Sequence, residues 1–124
     1  LAEGVSSYAD VVEQLCRQAL SADVVRRAAA RPHWRETYVG TTQEDGTVLE
    51  GFIDLVFRED DGSLVIVDYK TDAVPVEAVP ARVAFYRGQM DAYVAALSRA
   101  TGNPAVRGTL LFLNPEAAHE APVA

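Results

Sequence analysis

Two acidic residues interrupt apolar segments in the middle of the chain, GFIDLVF at 51–57 and LVIVDYK at 64–70. Asp54 stands in the first segment, and Asp68 stands in the second, two positions before Lys70. Burying a carboxylate is costly, and two neighbouring carboxylates repel each other. A divalent cation between them removes both costs, and hard oxygen ligands favour Mg²⁺ or Mn²⁺. The pattern therefore predicts a metal site, beside which Lys70 can stabilise charge on a phosphate or a hydroxide.

A structural interpretation of the same residues is also open. Asp68 and Lys70 are two positions apart, so they project from one face of a strand and can form a surface ion pair. Asp54 can likewise cap a turn. Residue types and spacing alone do not decide between this interpretation and the metal site.

The elements that must position these residues follow from periodicity and turn signals. Alternation with period two predicts a meander of three antiparallel strands, and helical spacing predicts two helices before it and one after it. The last strand follows a right-handed crossover and lies parallel to the third. The predicted fold class is α/β, a four-stranded mixed sheet flanked by helices in the order ααβββαβ. The expected segments are helices over 8–20, 21–30 and 81–100 and strands over 34–42, 47–57, 64–69 and 106–113.

Alternation along the strands also predicts which faces are buried. Asp54 shares its face of the second strand with Glu50, and folding the hairpin places position 54 opposite about position 69. Ser21 is expected to be the N-cap of the second helix. The opposite face of the second strand is expected to lie in the core and consists of Leu49, Ile53, Leu55 and Phe57.

Composition limits the classes of function. The 124 residues, 49% of them hydrophobic, suffice for one domain with a core. The net charge of −7 counts against holding duplex DNA by bulk electrostatics, but it does not exclude an enzyme that works through bound cations. Cys16 is the only cysteine, which points to a reducing compartment, and it is expected to be buried. No apolar run is long enough for a membrane span.

The order of three motifs resembles the RecB-family nuclease domain of the PD-(D/E)XK superfamily. GFID at 51–54 is followed by DYK at 68–70 on the third strand and by QMDAY at 89–93 on the long helix. RPHWRETYVG at 31–40 and VDYKTD at 67–72 resemble more narrowly the C-terminal nuclease domain of UvrD/AddA-type ATP-dependent helicase–nucleases.

This resemblance implies a DNA nuclease, acting as an exonuclease, that depends on Mg²⁺ or Mn²⁺. It implies Asp54 and Asp68 as metal ligands, with the carbonyl of Tyr69 as a further ligand, and it places Lys70 near the attacking water. The implied substrate is a single strand delivered by the helicase part of the same protein, in the cytoplasm at the nucleoid. A partner subunit of a helicase–nuclease complex is also implied.

Gln89 and Tyr93 are four residues apart, so one face of a helix presents both side chains. The resemblance implies that they shape the site and contact DNA. Tyr86 and Met90 lie on the same stripe and are expected to pack in the core.

The family pattern is incomplete in this chain. Its first motif is a histidine, less often an acid, on a helix before the first strand. His33 stands where the first strand begins, so the motif is expected upstream of Leu1. Residues 1–124 are therefore interpreted as a single-domain fragment that cuts weakly or not at all alone. The alternative is an inactive nuclease-like module that holds DNA or braces the helicase.

Other residues keep two interpretations. Glu36 and Glu50 are either further carboxylates near the metal or structural acids. Trp34 is expected to pack rather than to stack on a base, and His119 is expected to be exposed in a tail of proline and alanine.

Overall fold

The computed structural model describes residues 2–42, 44–71, 75–113 and 118–123. Within these ranges, alternating and helical patterns produce the elements predicted above, with shifts of three residues or fewer at their ends, except that the first helix begins six residues earlier than predicted. The helices are α1 (Ala2–Ser21), α2 (Asp23–Ala29) and α3 (Val79–Thr101), with a 3-10 turn at Val76–Ala78. The strands are β1 (His33–Thr42), β2 (Val48–Arg58), β3 (Leu64–Lys70), β4 (Val106–Leu113) and β5 (Ala118–Val123).

One sheet contains all five strands in the order β1-β2-β3-β4-β5. β3 and β4 are parallel, as the crossover through α3 requires, and the other neighbours are antiparallel. The predicted α/β class with a mixed sheet is therefore confirmed, but the strand count of four was wrong. β5 pairs with β4, so that His119 lies opposite Phe112 and is half-buried rather than fully exposed. The alanine and proline residues of β5 have low strand propensity, and only pairing with β4 makes this segment a strand.

The beginning of α2 differs from the prediction. Ser21 is the last residue of α1, and its hydroxyl donates to the carbonyl of Gln18 at 3.0 Å. Ala22 occupies the N-cap of α2 and provides no side-chain cap. The carboxylate of Glu120 on β5 instead accepts the backbone N–H of Val24 at 2.7 Å, which satisfies one of the free donors of this helix terminus.

Cys16 is exposed on α1, so the predicted burial of this cysteine was wrong. The apolar residues around Cys16 lie on one side of α1, and only part of this side packs against the rest of the protein. Leu15 is half-buried, whereas Val11, Val12 and Leu20 are 40–69% exposed.

The sheet divides the core into two apolar layers. α3 covers one face, and α2 covers the other with part of α1. The α3 layer includes Val39, Ile53, Val56, Leu64, Ile66, Met90, Tyr93, Leu97, Leu110 and Phe112. The α2 layer includes Val24, Ala28, Leu55, Phe57, Val65, Val67, Leu111 and Leu113.

The alternation of β2 changes face at Asp54. Ile53 packs in the α3 layer, but Leu55 and Phe57 pack in the α2 layer. The prediction that these three residues share one continuous face was therefore wrong, although all three are buried. β1 changes at the same level, because Glu36 has a φ of 51° between pairs that remain in register on either side.

Candidate functional site

Asp54 lies at the point where β2 separates from β3. The pairing of these strands runs from Leu55 with Val67 to Arg58 with Leu64, and continuing this register brings position 54 to the level of 68, within one residue of the predicted level. Oδ2 of Asp54 accepts the backbone N–H of Tyr69 at 2.8 Å. A carboxylate therefore bonds a β3 amide directly beyond the last paired residues of β2.

Asp68 is held beside Asp54 on the α3 face of the sheet. It is only 7% exposed, and its Oδ2 lies 3.0 Å from Nζ of Lys70. The period of two along β3 puts Ile66, Asp68 and Lys70 on one face, as predicted. The ion pair itself is largely buried, which the surface-pair interpretation did not foresee.

The pKa of the Asp54 carboxyl is raised to about 6. Burial disfavours its charge most strongly, and the hydrogen-bonded, negatively charged carboxyl of Asp68 adds to this effect. The Tyr69 N–H and the Lys70 ammonium act in the opposite direction. Two carboxyl groups that resist joint ionisation form a donor set that fits a divalent cation.

Lys70 is oriented by side chains of α3. Its Nζ donates to Oε1 of Gln89 at 3.3 Å and lies 4.1 Å from the centre of the Tyr86 ring. Nε2 of Gln89 in turn donates to the hydroxyl of Tyr93 at 3.4 Å. Tyr93 is buried in the α3 layer, so a chain of contacts connects the core of the protein to the lysine ammonium.

Gly51 provides the space that Tyr93 occupies. A Cβ atom at position 51 would lie 2.7 Å from the Tyr93 hydroxyl oxygen, closer than real Cβ contacts allow. The glycine and the tyrosine of the two motifs are therefore one packing unit. Their separation in sequence hid this contact, and the only signal was that both motifs occur in the same chain.

An open cavity of about 460 Å³ lies against Asp54 and is lined by Arg35, Glu36, Asp54 and Tyr69. Glu36 lies between the β1–β2 pairs Arg35–Leu55 and Thr37–Ile53 and has a left-handed backbone, which is uncommon for residues other than glycine. Sequence reasoning named Glu36 but missed Arg35. The RET tripeptide, in which an arginine directly precedes this acid, was the available signal.

Other candidate residues lie apart from the two acids. Glu50 accepts the hydroxyl of Tyr38 at 2.7 Å on the exposed face of the hairpin, and this bond raises the pKa of Tyr38. His33 is exposed, with Nδ1 2.9 Å from the carbonyl oxygen of Arg31. Trp34 is 48% exposed and therefore only partly packed.

Within the ranges that the structure describes, no group of three or more His, Cys, Asp or Glu side chains is arranged to hold a metal ion. The site thus offers two carboxylates, which is the number that Mg²⁺ commonly takes from a protein while it keeps water and substrate ligands.

No helix in the described ranges is long and apolar enough to cross a membrane.

The architecture is similar to a known fold. The crystal structure of SSO0001 superimposes with a TM-score of 0.55, covering 73% of this chain and 41% of that chain at 20% identity. The sequence pattern of the PD-(D/E)XK nuclease superfamily matches residues 3–123. The chain belongs to this superfamily, and the predicted resemblance is confirmed.

The chain is also similar to parts of much longer proteins. An ATP-dependent helicase/nuclease subunit of Alkaliphilus oremlandii is 43% identical over 70 residues, or 56% of this chain. The proteins of the same name from Desulforudis audaxviator and Carboxydothermus hydrogenoformans are 46% identical over 54 residues and 38% identical over 69 residues, or 44% and 56% of this chain. The matched region spans 4–6% of the length of these relatives.

Proposed function

We propose that this chain is the nuclease domain of an ATP-dependent helicase–nuclease and hydrolyses phosphodiester bonds in DNA with Mg²⁺ or Mn²⁺. The observation that carries this proposal is the pairing of two carboxyl groups with a lysine. Burial and the adjacent Asp68 carboxyl raise the pKa of Asp54, and Lys70 lies 3.0 Å from Asp68. Membership of the nuclease superfamily and similarity to helicase/nuclease subunits support it.

In this proposal, Asp54, Asp68 and the carbonyl of Tyr69 hold the cation. A bound divalent cation lowers the pKa of water and offsets charge on the phosphate. The Tyr69 N–H fixes one oxygen of Asp54 and leaves the other as a ligand. A cation there would also offset the effects of burial and of the neighbouring Asp68 carboxyl, which raise the pKa of Asp54.

Lys70 stabilises the negative charge that develops on the phosphate and the attacking oxygen. Gln89 and Tyr93 act as positioning residues in this scheme, because their hydrogen bonds end at the lysine ammonium. Contact of these two residues with DNA, which the resemblance implies, remains part of the proposal.

The substrate is a single strand that the helicase part of a longer protein delivers, with cleavage from an end. The net charge of −7 supports a division of labour in which most of the DNA affinity lies outside this chain. Action at the nucleoid in the cytoplasm, with a partner subunit, belongs to the same proposal.

The test is cleavage of single- and double-stranded oligonucleotides with Mn²⁺, together with calorimetric titration of Mn²⁺. Asp54→Asn and Asp68→Asn are expected to abolish both metal binding and cleavage, and Lys70→Ala is expected to abolish cleavage while metal binding persists. Asp91→Asn is the matched control, because Asp91 is an exposed acid on α3 outside the contacts of the site.

Two other outcomes would contradict the proposal. Metal binding and DNA binding without cleavage, also in a longer chain that includes the upstream segment, would favour the inactive module. Cleavage that survives both acid substitutions would place the catalytic site elsewhere.

A further inference from the structure

We infer that Arg35 is a phosphate-binding residue that holds the DNA backbone beside the phosphate that is cleaved. The inference rests on the proposed function and adds a residue that none of the three motifs contains. It concerns the position of the strand on the protein and not the chemical step.

The backbone inversion at Glu36 determines where Arg35 lies. Thr37 pairs with Ile53, whose side chain belongs to the α3 layer, whereas Arg35 pairs with Leu55 of the α2 layer. Paired residues of antiparallel strands share a face. Strict alternation would put Arg35 and Thr37 on the same face, so the left-handed φ of 51° at Glu36 separates them.

This position places Arg35 at the junction of two concavities. It lines the open cavity that contains Asp54, and it also lines a cavity of about 210 Å³ on the α2 side. The second cavity has a largely apolar wall that includes Val25, Ala28 and Leu55. A DNA strand that runs from Asp54 toward α2 would pass Arg35 and Tyr69, which line both cavities.

The charge of Arg35 lacks an anionic partner in the described part of the chain. Glu59 lies within 4 Å of three other arginines. Arg35, in contrast, takes part in no hydrogen bond or ion pair among the described residues. An exposed guanidinium with five donors matches phosphate oxygens in a two-bonded arrangement.

Attraction of a phosphate to Arg35 depends on the charges beside this residue. Asp54 and Glu36 line the same cavity, so without a cation the region repels anions. A divalent cation held by the two aspartates would reverse that local balance, and a phosphate beside Arg35 would then be attracted. The DNA backbone presents such anions in succession along one strand.

The test combines arginine variants with single-stranded oligonucleotides of about 12 nucleotides, in which one linkage at a time is a neutral methylphosphonate. Binding is measured by fluorescence anisotropy with Ca²⁺ at several salt concentrations, and cleavage is measured with Mn²⁺. The variants are Arg35→Ala, Arg35→Lys and the control Arg58→Ala. Arg58 is also an exposed strand arginine, but it lines neither cavity.

Arg35→Ala is expected to raise Kd about 10-fold, because a hydrogen bond to a charged group is lost. The slope of log Kd against log salt should decrease by about 0.7 for a single strand. One linkage near the cut should weaken binding to the wild type when neutralised but leave Arg35→Ala unaffected, since the contact is already absent. Arg35→Lys should keep the salt slope and recover only part of the affinity.

Failure of the inference is distinguishable from failure of the proposed function. If the wild type cleaves DNA but Arg35→Ala and Arg58→Ala respond alike to every linkage, the phosphate contact is refuted and the nuclease remains. If the wild type binds without cleavage, the linkage profile still decides the role of Arg35. If a longer chain that includes the upstream segment neither binds nor cleaves DNA, both proposals fail.

Discussion

The fold raises the pKa of the Asp54 carboxyl toward neutral pH. Its pKa of about 6 follows from half-burial and from the Asp68 carboxyl beside it, and a hydrogen bond from Tyr69 only partly compensates. Without a cation, the two adjacent carboxyl groups destabilise the folded protein at neutral pH, and a bound cation would remove this cost. The residue scale thus links the chemistry of the site directly to the stability of the protein.

Asp54→Asn should stabilise the metal-free protein in a pH-dependent way. The folded-state pKa of Asp54 is raised, so its contribution to stability is present at low pH and is lost as the pH rises from about 4 to about 6. The variant should gain about 1 kcal/mol over the wild type at about pH 7, after allowance for solvent screening, and almost nothing at about pH 4.

Urea unfolding with a chelator present measures this difference. Added Mn²⁺ should reverse the order at neutral pH, because only the wild type gains binding energy from the cation. An advantage of the variant that is the same at both pH values would refute the raised pKa.

At the scale of elements, α3 and the β1–β2 hairpin meet through Gly51 and Tyr93. The hydroxyl of Tyr93 occupies the place of a Cβ on Gly51 and receives a hydrogen bond from Gln89. Gln89 contacts Lys70. The position of the lysine therefore depends on how closely the helix approaches the hairpin.

Gly51→Ala is expected to displace Tyr93 and to lower Mn²⁺-dependent cleavage about 10- to 100-fold, because small shifts of catalytic groups are costly. In the Tyr93→Phe background the hydroxyl is absent, so the added methyl group should cost little more. This double-mutant cycle is the measurement, and strictly additive effects would contradict the contact.

Gly108→Ala is the matched control for this cycle. A Cβ at position 108 would overlap Met90, which belongs to the same layer but makes no contact with the lysine. We expect lower stability from this substitution and unchanged cleavage per folded molecule.

The strand β5 and the helix α2 are connected by the carboxylate of Glu120. Because this carboxylate caps α2 at the N–H of Val24, Glu120→Ala should lower the free energy of unfolding by about 1 kcal/mol. Glu120→Gln keeps an acceptor and should lose less. Thermal and urea unfolding of both variants give the comparison, and equal losses would mean that the cap does not contribute.

At the scale of the whole molecule, Glu59 connects segments that are far apart in sequence. Its carboxylate lies 3.6 Å from Arg27, 3.5 Å from Arg31 and 2.8 Å from Arg107. These residues belong to α2, the connection to β1 and the strand β4. The β2–β3 turn is therefore held to α2, to the connection before β1 and to β4.

Glu59→Gln should lower the free energy of unfolding by about 1–2 kcal/mol, because three guanidinium groups lose their shared anion. The loss should shrink at high salt. Glu13→Gln breaks an exposed pair with Arg17 on α1 and should change stability by less than about 0.5 kcal/mol. Urea unfolding at two salt concentrations separates the two variants, and similar small effects would show that the cluster adds little.

Most of the architecture could be predicted, because the signals that define it are local. Alternation in β2, continuous apolar runs in β3 and β4 and helical spacing in α3 reflect the burial of each element. The β4 boundaries were predicted to the residue, and the other ends shifted by three residues or fewer except at α1. The three motifs, in their order, also identified the superfamily and the candidate site residues.

The tertiary structure alone decided the features that depend on contacts between distant parts of the chain. β5 is a strand only because β4 offers it a partner, and the face of Arg35 follows from the inversion at Glu36. The contact of Gly51 with Tyr93 likewise needs the packed helix. Periodicity reports how a segment is buried, but it carries no information about which neighbour buries it, so these contacts became visible only once the sheet and helices were packed together.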